Sequence, residues 1–189
     1  MKMGYCFKHI TSDEANRFVN QFHRHNKKTN QSQLCIGLLF DDELIGVVIC
    51  GRPVSITLDD GNTIEILRVC VKLEHKNANS KIYGRVRRIC QLLGYSKIIT
   101  YTLQKESQSS LLAIGAVKEC LCKPSTWDRP NINRRRTEQA IYKEPKIRWS
   151  IPCESLPTGF VEKERERLTA FMQKKGIDAA PCGMYERPG

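Results

Sequence analysis

Residues 4–10 form a short mixed segment that suits an edge strand, and behind them the apolar positions take up a helical period. Thr11-Ser12-Asp13-Glu14 supplies a cap and first-turn acids. Ala15, Phe18, Val19 and Phe22 then recur on one face, which predicts an amphipathic helix to about His25. Asn26–Gln33 is polar and reads as a loop. The period then shortens. Leu34–Phe40 and Leu44–Cys50 are apolar runs joined by Asp41-Asp42-Glu43, a hairpin pattern, and Gly51-Arg52-Pro53 ends the second run. A turn at Asp59-Asp60-Gly61-Asn62 precedes Thr63 and a strand over Ile64–Val71.

A helical period returns in Ser80–Leu93, where Ile82, Val86, Ile89, Cys90 and Leu93 share a face that Gly94 closes. Lys97–Leu103 reads as a buried strand and Ser109–Ile114 as a short helix ended by Gly115. Val117–Cys122 reads as a strand, and Ile141–Ser150 as its partner. This order predicts an α/β (α+β) fold: a mixed, mostly antiparallel central sheet flanked by helices, with a strand–helix–strand unit in the middle. One domain is expected over residues 1–150, and residues 151–189 read as a C-terminal extension with one charged helix, Val161–Lys175.

Composition narrows the classes. The 189 residues are 40% hydrophobic and 27% charged, which suits a globular chain with a core of its own. No run approaches the ~20 apolar residues of a membrane span, and the first residues lack the apolar stretch of a secretory signal. Nine cysteines, with Cys35, Cys50, Cys70 and Cys90 inside apolar runs, read as reduced, buried thiols and imply a cytoplasmic protein. No metal is expected: Cys120 and Cys122 form only C-x-C, and His23 and His25 only H-x-H, neither a usual zinc spacing.

Charge adds a partner class. Thirty-one Lys and Arg stand against 20 acidic residues, a net +11 that favours polyanions. From Lys123 to Arg148 there are eight basic and three acidic residues, interleaved with Trp127 and Tyr142 and followed by Trp149. That pattern suits phosphate tracking with base stacking, or equally a solvated basic loop and a final strand whose Trp149 is core.

The junction after Val71 is the sharpest local feature. A polar loop, Lys72–Asn79, runs from the end of a strand into an Arg-bearing helix, and such a helix start presents free N–H groups to a pyrophosphate. Lys76, Lys81 and Arg85 lie near enough to add charge; an ordinary βα loop with a solvated helix fits the same residues. In the preceding strand, alternation places Glu65 on one face with Leu67, Val69 and Val71, and turns Arg68 the other way. A carboxylate there is either raised in pKa and functional or sits at a wet strand end. Arg68 must find a partner, of which Glu106 is one candidate, or reach a cleft.

The element order, together with Val47–Pro53, Leu67-Arg68-Val69-Cys70, Lys76–Gly84, Gly94-Tyr95, Ile99–Leu103 and Pro145–Trp149, resembles the GNAT N-acyltransferase superfamily over roughly residues 5–150. More narrowly it resembles the acetyltransferase-like proteins of phages and mobile elements, distantly the Mom type that modifies adenine in DNA. The resemblance implies acetyl-CoA as the cofactor, a CoA thioester whose acyl group passes to an amine acceptor. It places the cofactor on Val69, Val71, Lys76, Asn77, Ala78, Asn79, Ser80, Lys81 and Tyr83. The superfamily's loop, Gln/Arg-x-x-Gly-x-Gly/Ala, reads here Lys76-Asn77-Ala78-Asn79-Ser80-Lys81, with both small positions substituted.

For chemistry the resemblance implies Glu65 as general base and a hydroxyl as the acid for the leaving thiolate. The superfamily's usual Tyr falls on Leu111, so Ser110, Tyr101 and Tyr83 are the hydroxyls in range. It puts His23 and His25 on the acceptor side; Arg52 and Arg68 are further candidates there, and the basic and aromatic pattern makes Trp127, Arg134, Arg135 and Arg136 the candidates for a nucleic-acid acceptor. Two other readings use the same residues: an acyltransferase directed at a nucleobase or tRNA, and a non-catalytic nucleic-acid-binding relative of the fold.

Overall fold

The computed structural model describes residues 4–23, 28–124 and 144–153 and single positions from 159 to 173. The chain divides into two compact units, Met1–Glu154 and Ser155–Gly189. In the second, the described positions 160, 163, 166, 167, 169, 170 and 173 are helical. Among the described residues no helix is long and apolar enough to cross a membrane.

The first unit is built on one seven-stranded sheet of order β1-β2-β3-β4-β5-β7-β6. Its strands are β1 (Tyr5–His9), β2 (Leu34–Phe40), β3 (Glu43–Gly51), β4 (Thr63–Val71), β5 (Lys97–Leu103), β6 (Val117–Cys122) and β7 (Lys146–Pro152). Every neighbouring pair is antiparallel except β4 and β5. A parallel pair needs a crossover, and α2 (Ala78–Leu92) supplies it. The β2–β3 hairpin turns at Asp41 and Asp42, with φ of 48° and 66°, a geometry that Asp tolerates better than most side chains.

The helices sort the core into two layers. α1 (Ser12–Phe22) is started by a full capping box, with Thr11 Oγ1 accepting from the Glu14 N–H and Glu14 returning a carboxylate to the Thr11 N–H at 2.8 Å. It ends at His23, short of the expected His25. Ala15, Phe18 and Val19 pack on Cys35, Val47, Ile49 and Cys70. On the other side of the sheet, Ile82, Val86 and Cys90 of α2 pack on Ile64, Ile66, Ile98 and Trp149. Trp149 is fully buried, and its indole N–H donates to Thr102 Oγ1 at 2.9 Å, which settles its place in the core.

Other boundaries differ from the sequence pattern as well. α2 begins two residues earlier than its apolar period suggests, because Ala78 is buried and continues the face. β7 runs Lys146–Pro152, later than the expected 141–150. Gly46 is fixed by packing rather than by a turn: a Cβ there would lie 3.0 Å from Val71 and 3.1 Å from Ile82. Gly46→Ala therefore makes the Val71 and Ile82 side chains give way by a few tenths of an ångström in a packed core and should cost about 1–3 kcal/mol, read as a lowered denaturant midpoint with an unchanged slope.

Candidate active site

The β4–β5 ladder is short. Its register runs Thr63↔Lys97, Ile64↔Ile98, Glu65↔Ile99 and Ile66↔Thr100 and stops, although β4 continues to Val71 and β5 to Leu103. The strands part there into a fork. At its base the Thr100 hydroxyl donates to the Ile66 carbonyl at 3.2 Å, so that carbonyl points toward β5. Six residues on, the Lys72 N–H points the other way, to Ile45 of β3 at 2.9 Å.

Strict alternation would aim residues 66 and 72 in one direction. The reversal comes from a bulge: against β3 the register passes from Ile49↔Arg68 to Cys50↔Ile66, leaving Leu67 as an extra residue. Beyond it the backbone of Val69 and Val71 faces the fork, where β5 no longer pairs with it. This bulge overturns the expected face assignment. Val69 and Val71 pack with the α2 layer, Cys70 with the α1 layer, and Glu65 shares the α1 face with Arg68 instead of opposing it.

At the open end of the fork lies the start of α2. The loop is anchored on both sides: Lys72 pairs with Glu43, and His75 packs at a tilt against Phe40 with ring centroids 5.5 Å apart. Asn77 is the N-cap at φ 62° and makes no side-chain capping bond, in contrast to Thr11 of α1. The first-turn N–H groups of Asn79 and Ser80 are therefore left without an intrahelical acceptor or a cap. The absent glycines are not missed by the backbone, because Asn79 and Lys81 are ordinary helical residues and Asn77 takes the left-handed position. Lys76 and Asn79 are exposed, and Ala78 is buried. Lys81 and Arg85 do not reach toward the loop. Their charges sit over the rings of Tyr5 and Phe7, at 4.6 and 4.7 Å, and tie α2 to β1.

On the α1 face of the fork, the structure gathers ionisable side chains from four strands. Glu65 is only 6% exposed, and its Oε2 accepts the Val54 N–H at 2.8 Å. Burial pushes its carboxyl above the usual glutamate range; the Val54 N–H, Arg68 and Lys146 pull in the opposite direction. Arg68 also donates to the Leu67 carbonyl at 2.6 Å. Tyr101 is the first β5 residue beyond the ladder. Its hydroxyl is raised by burial and by Glu65, and lowered by a hydrogen bond with Arg148, its register partner on β7. Arg148 Nε donates to Glu119 Oε2 at 2.6 Å, and Glu119 also pairs with Lys97.

The other expected residues lie apart. Ser110 is half-buried in α3 (Ser109–Leu112) and is not its cap, which is Gln108. Tyr83 is a core side chain whose hydroxyl burial pushes well up, so it stays protonated. Arg52 is exposed and held by Asp59, Nε to Oδ2 at 2.9 Å. His23 ends α1. His25, Trp127, Arg134, Arg135 and Arg136 lie outside the described residues. Lys146 and Arg148 fall in the expected final strand as well as the basic tract, and the alternation of Ile147, Trp149 and Ile151 with Lys146, Arg148 and Ser150 sets the face they occupy. Nothing in the sequence marked Thr100 or the bulge at Leu67.

Among the described residues no three His, Cys, Asp or Glu side chains gather as a metal site. The Cys120 and Cys122 sulfurs lie 3.8 Å apart as free thiols. Cys50, Cys70 and Cys90 are buried and pushed up, Cys70 to about 11 and Cys90 to about 12, so they remain neutral.

A seven-stranded sheet with one parallel pair that forks beside a helix start matches known structures. The ribosomal-protein-S18-alanine N-acetyltransferase from Escherichia coli superposes with a TM-score of 0.58 at 6% identity, over 83% of this chain and 99% of that one. The fold is that of the GNAT acetyltransferases. An N-acetyltransferase from Staphylococcus aureus gives 0.59 at 12% identity, covering 79% and 98%. A Bacillus subtilis acetyltransferase in complex with CoA gives 0.53 at 16%, covering 80% and 99%. No protein-family model matches the chain, and no curated protein does. At these identities the likeness is one of fold.

Proposed function

We propose that the protein is a GNAT-type acyltransferase that moves an acyl group from acetyl-CoA to an amine. The observation that carries this reading is the fork: unpaired β4 backbone at Val69 and Val71 leads directly to an uncapped helix start at Asn79 and Ser80. Peptide-like strand edges and orphan N–H groups fit an extended amide-bearing arm that ends in a pyrophosphate. Bound there, the cosubstrate would supply an activated acyl carbon.

The chain's own residues supply the rest. Val69 and Val71 offer backbone donors that align the arm and meet negative charge developing on a carbonyl oxygen. Glu65, raised by burial, takes the proton of the attacking amine through its free oxygen. Tyr101, at the fork, gives a proton to the departing sulfur; Ser110 is the second hydroxyl in this reading. Residues 1–150 form the catalytic domain in this account, and residues 151–189 an accessory extension.

The test is a transfer assay. With radiolabelled acetyl-CoA and a mixed amine pool, label should leave CoA for an amine fraction, with stoichiometric release of free thiol. Thiol release no faster than in buffer, across protein, nucleic-acid and small-amine acceptors, would remove the enzymatic reading and leave the binding-module one.

A further inference from the structure

We propose that Cys120 and Cys122 form a redox couple, a modification site at which a low-molecular-weight disulfide oxidises two neighbouring thiols of β6 to a reversible disulfide. This does not depend on acyl transfer. The placement comes from the strand. With one residue between them, the two side chains leave β6 on one side, and their sulfurs lie 3.8 Å apart. Cys120 is exposed and Cys122 half-buried, so a small disulfide can reach the first. The other described thiols differ. Cys35, Cys50, Cys70, Cys90 and Cys153 are buried, and Cys6 stands exposed on β1, at the opposite edge of the sheet.

Backbone and charge both favour closure. β6 is an edge strand that pairs only with β7, and its register slips between Lys118 and Cys120, so the segment can bend without breaking a second ladder. Bending matters, because residues two apart on a flat strand stand about 6.6 Å apart, near the upper limit for a disulfide of about 6.8 Å. Across the ladder Cys120 faces Arg148 and Cys122 faces Lys146, a basic register partner for each thiol. Burial and the neighbouring Cys120 push the Cys122 thiol up, and Arg148, which also pairs with Glu119, pulls it back.

The exchange balances. The Cys120 thiolate attacks one sulfur of the small disulfide, and the first small thiol leaves. Cys122 then attacks the Cys120 sulfur, the S–S bond passes onto β6, and the second small thiol leaves. The two cysteine protons end on the two released thiols, and the small disulfide gains the two electrons that the protein loses. An exposed disulfide of this kind is readily reduced again, so the couple runs in both directions.

The test takes the full-length protein, fully reduced, and titrates it with oxidised glutathione at a fixed level of reduced glutathione. Samples are quenched with acid, alkylated and mapped by peptide mass. The peptide that carries Cys120 and Cys122 should appear lighter by two hydrogens with neither cysteine alkylated, and dithiothreitol should restore two alkylatable thiols. Because the second step is intramolecular, half-closure should need about tenfold less oxidised glutathione than half-modification of Cys6. Cys122→Ser removes that step, so Cys120 should then hold glutathione as a mixed disulfide at a level close to that needed for Cys6. Two free thiols on β6 once Cys6 carries glutathione overturn the proposal. So does glutathione retained on Cys120 or Cys122 of the wild type without closure, or a disulfide from either of them to a different cysteine.

Discussion

Glu65→Gln should leave a folded protein that has lost acyl transfer by about 10²- to 10⁴-fold, the usual weight of a positioned proton acceptor. The amide oxygen can still accept the Val54 N–H, so the loop over Glu65 keeps its tether. The sign of the stability change is a second readout. Burial raises the folded-state pKa above the ordinary value of 4.5. The stability this group contributes is therefore present below its unfolded pKa and lost as pH rises through the raised one. Gln carries no such loss, so the variant should equal or exceed the wild type in thermal midpoint at neutral pH. Activity should show the converse in the wild type: kcat/KM should rise with pH through a Glu65 limb above 4.5, and that limb should vanish in the variant.

Ser80→Asp should separate helix stability from cofactor binding. Ser80 is the third residue of α2, where a negative charge favours the helix by about 0.3–1 kcal/mol. The same charge would oppose a pyrophosphate seated on the Asn79 and Ser80 N–H groups. Expected is a thermal midpoint unchanged or raised, with acetyl-CoA affinity lowered about 10- to 100-fold, or about 1.4–2.8 kcal/mol. Ser80→Asn, neutral and of similar size to Asp, should keep both near wild type. Loss of binding in both variants would point to crowding rather than charge.

Much of the fold was legible because its elements are strongly periodic. The capping box at Thr11 and Glu14, the Asp41-Asp42 hairpin and the apolar face of α2 each announce themselves locally. Glu65 and Arg68 lie on β4 and Tyr101 on β5, as the strand pattern predicts, but alternation assigns Glu65 and Arg68 to opposite faces, and a single inserted residue at Leu67 reverses that. A bulge answers to pairing with β3 and leaves no mark in a one-strand pattern. Lys81 shows a second limit. Its place in the chain offers its charge to a phosphate, yet Tyr5, distant in sequence, holds it by a cation–π contact. Lys146 and Arg148 come beside Leu103 and Tyr101 only because β7 inserts between β5 and β6, a topology that the order of elements does not specify.

The most direct measurement is an amide NMR titration with acetyl-CoA. The account predicts that Val69 and Val71, along the fork, and Asn79 and Ser80, at the helix start, shift together along one binding curve. If acetyl-CoA leaves those four amides unmoved, whether because nothing binds or because it binds elsewhere, the fork is not a cosubstrate site and the acyltransfer reading is wrong.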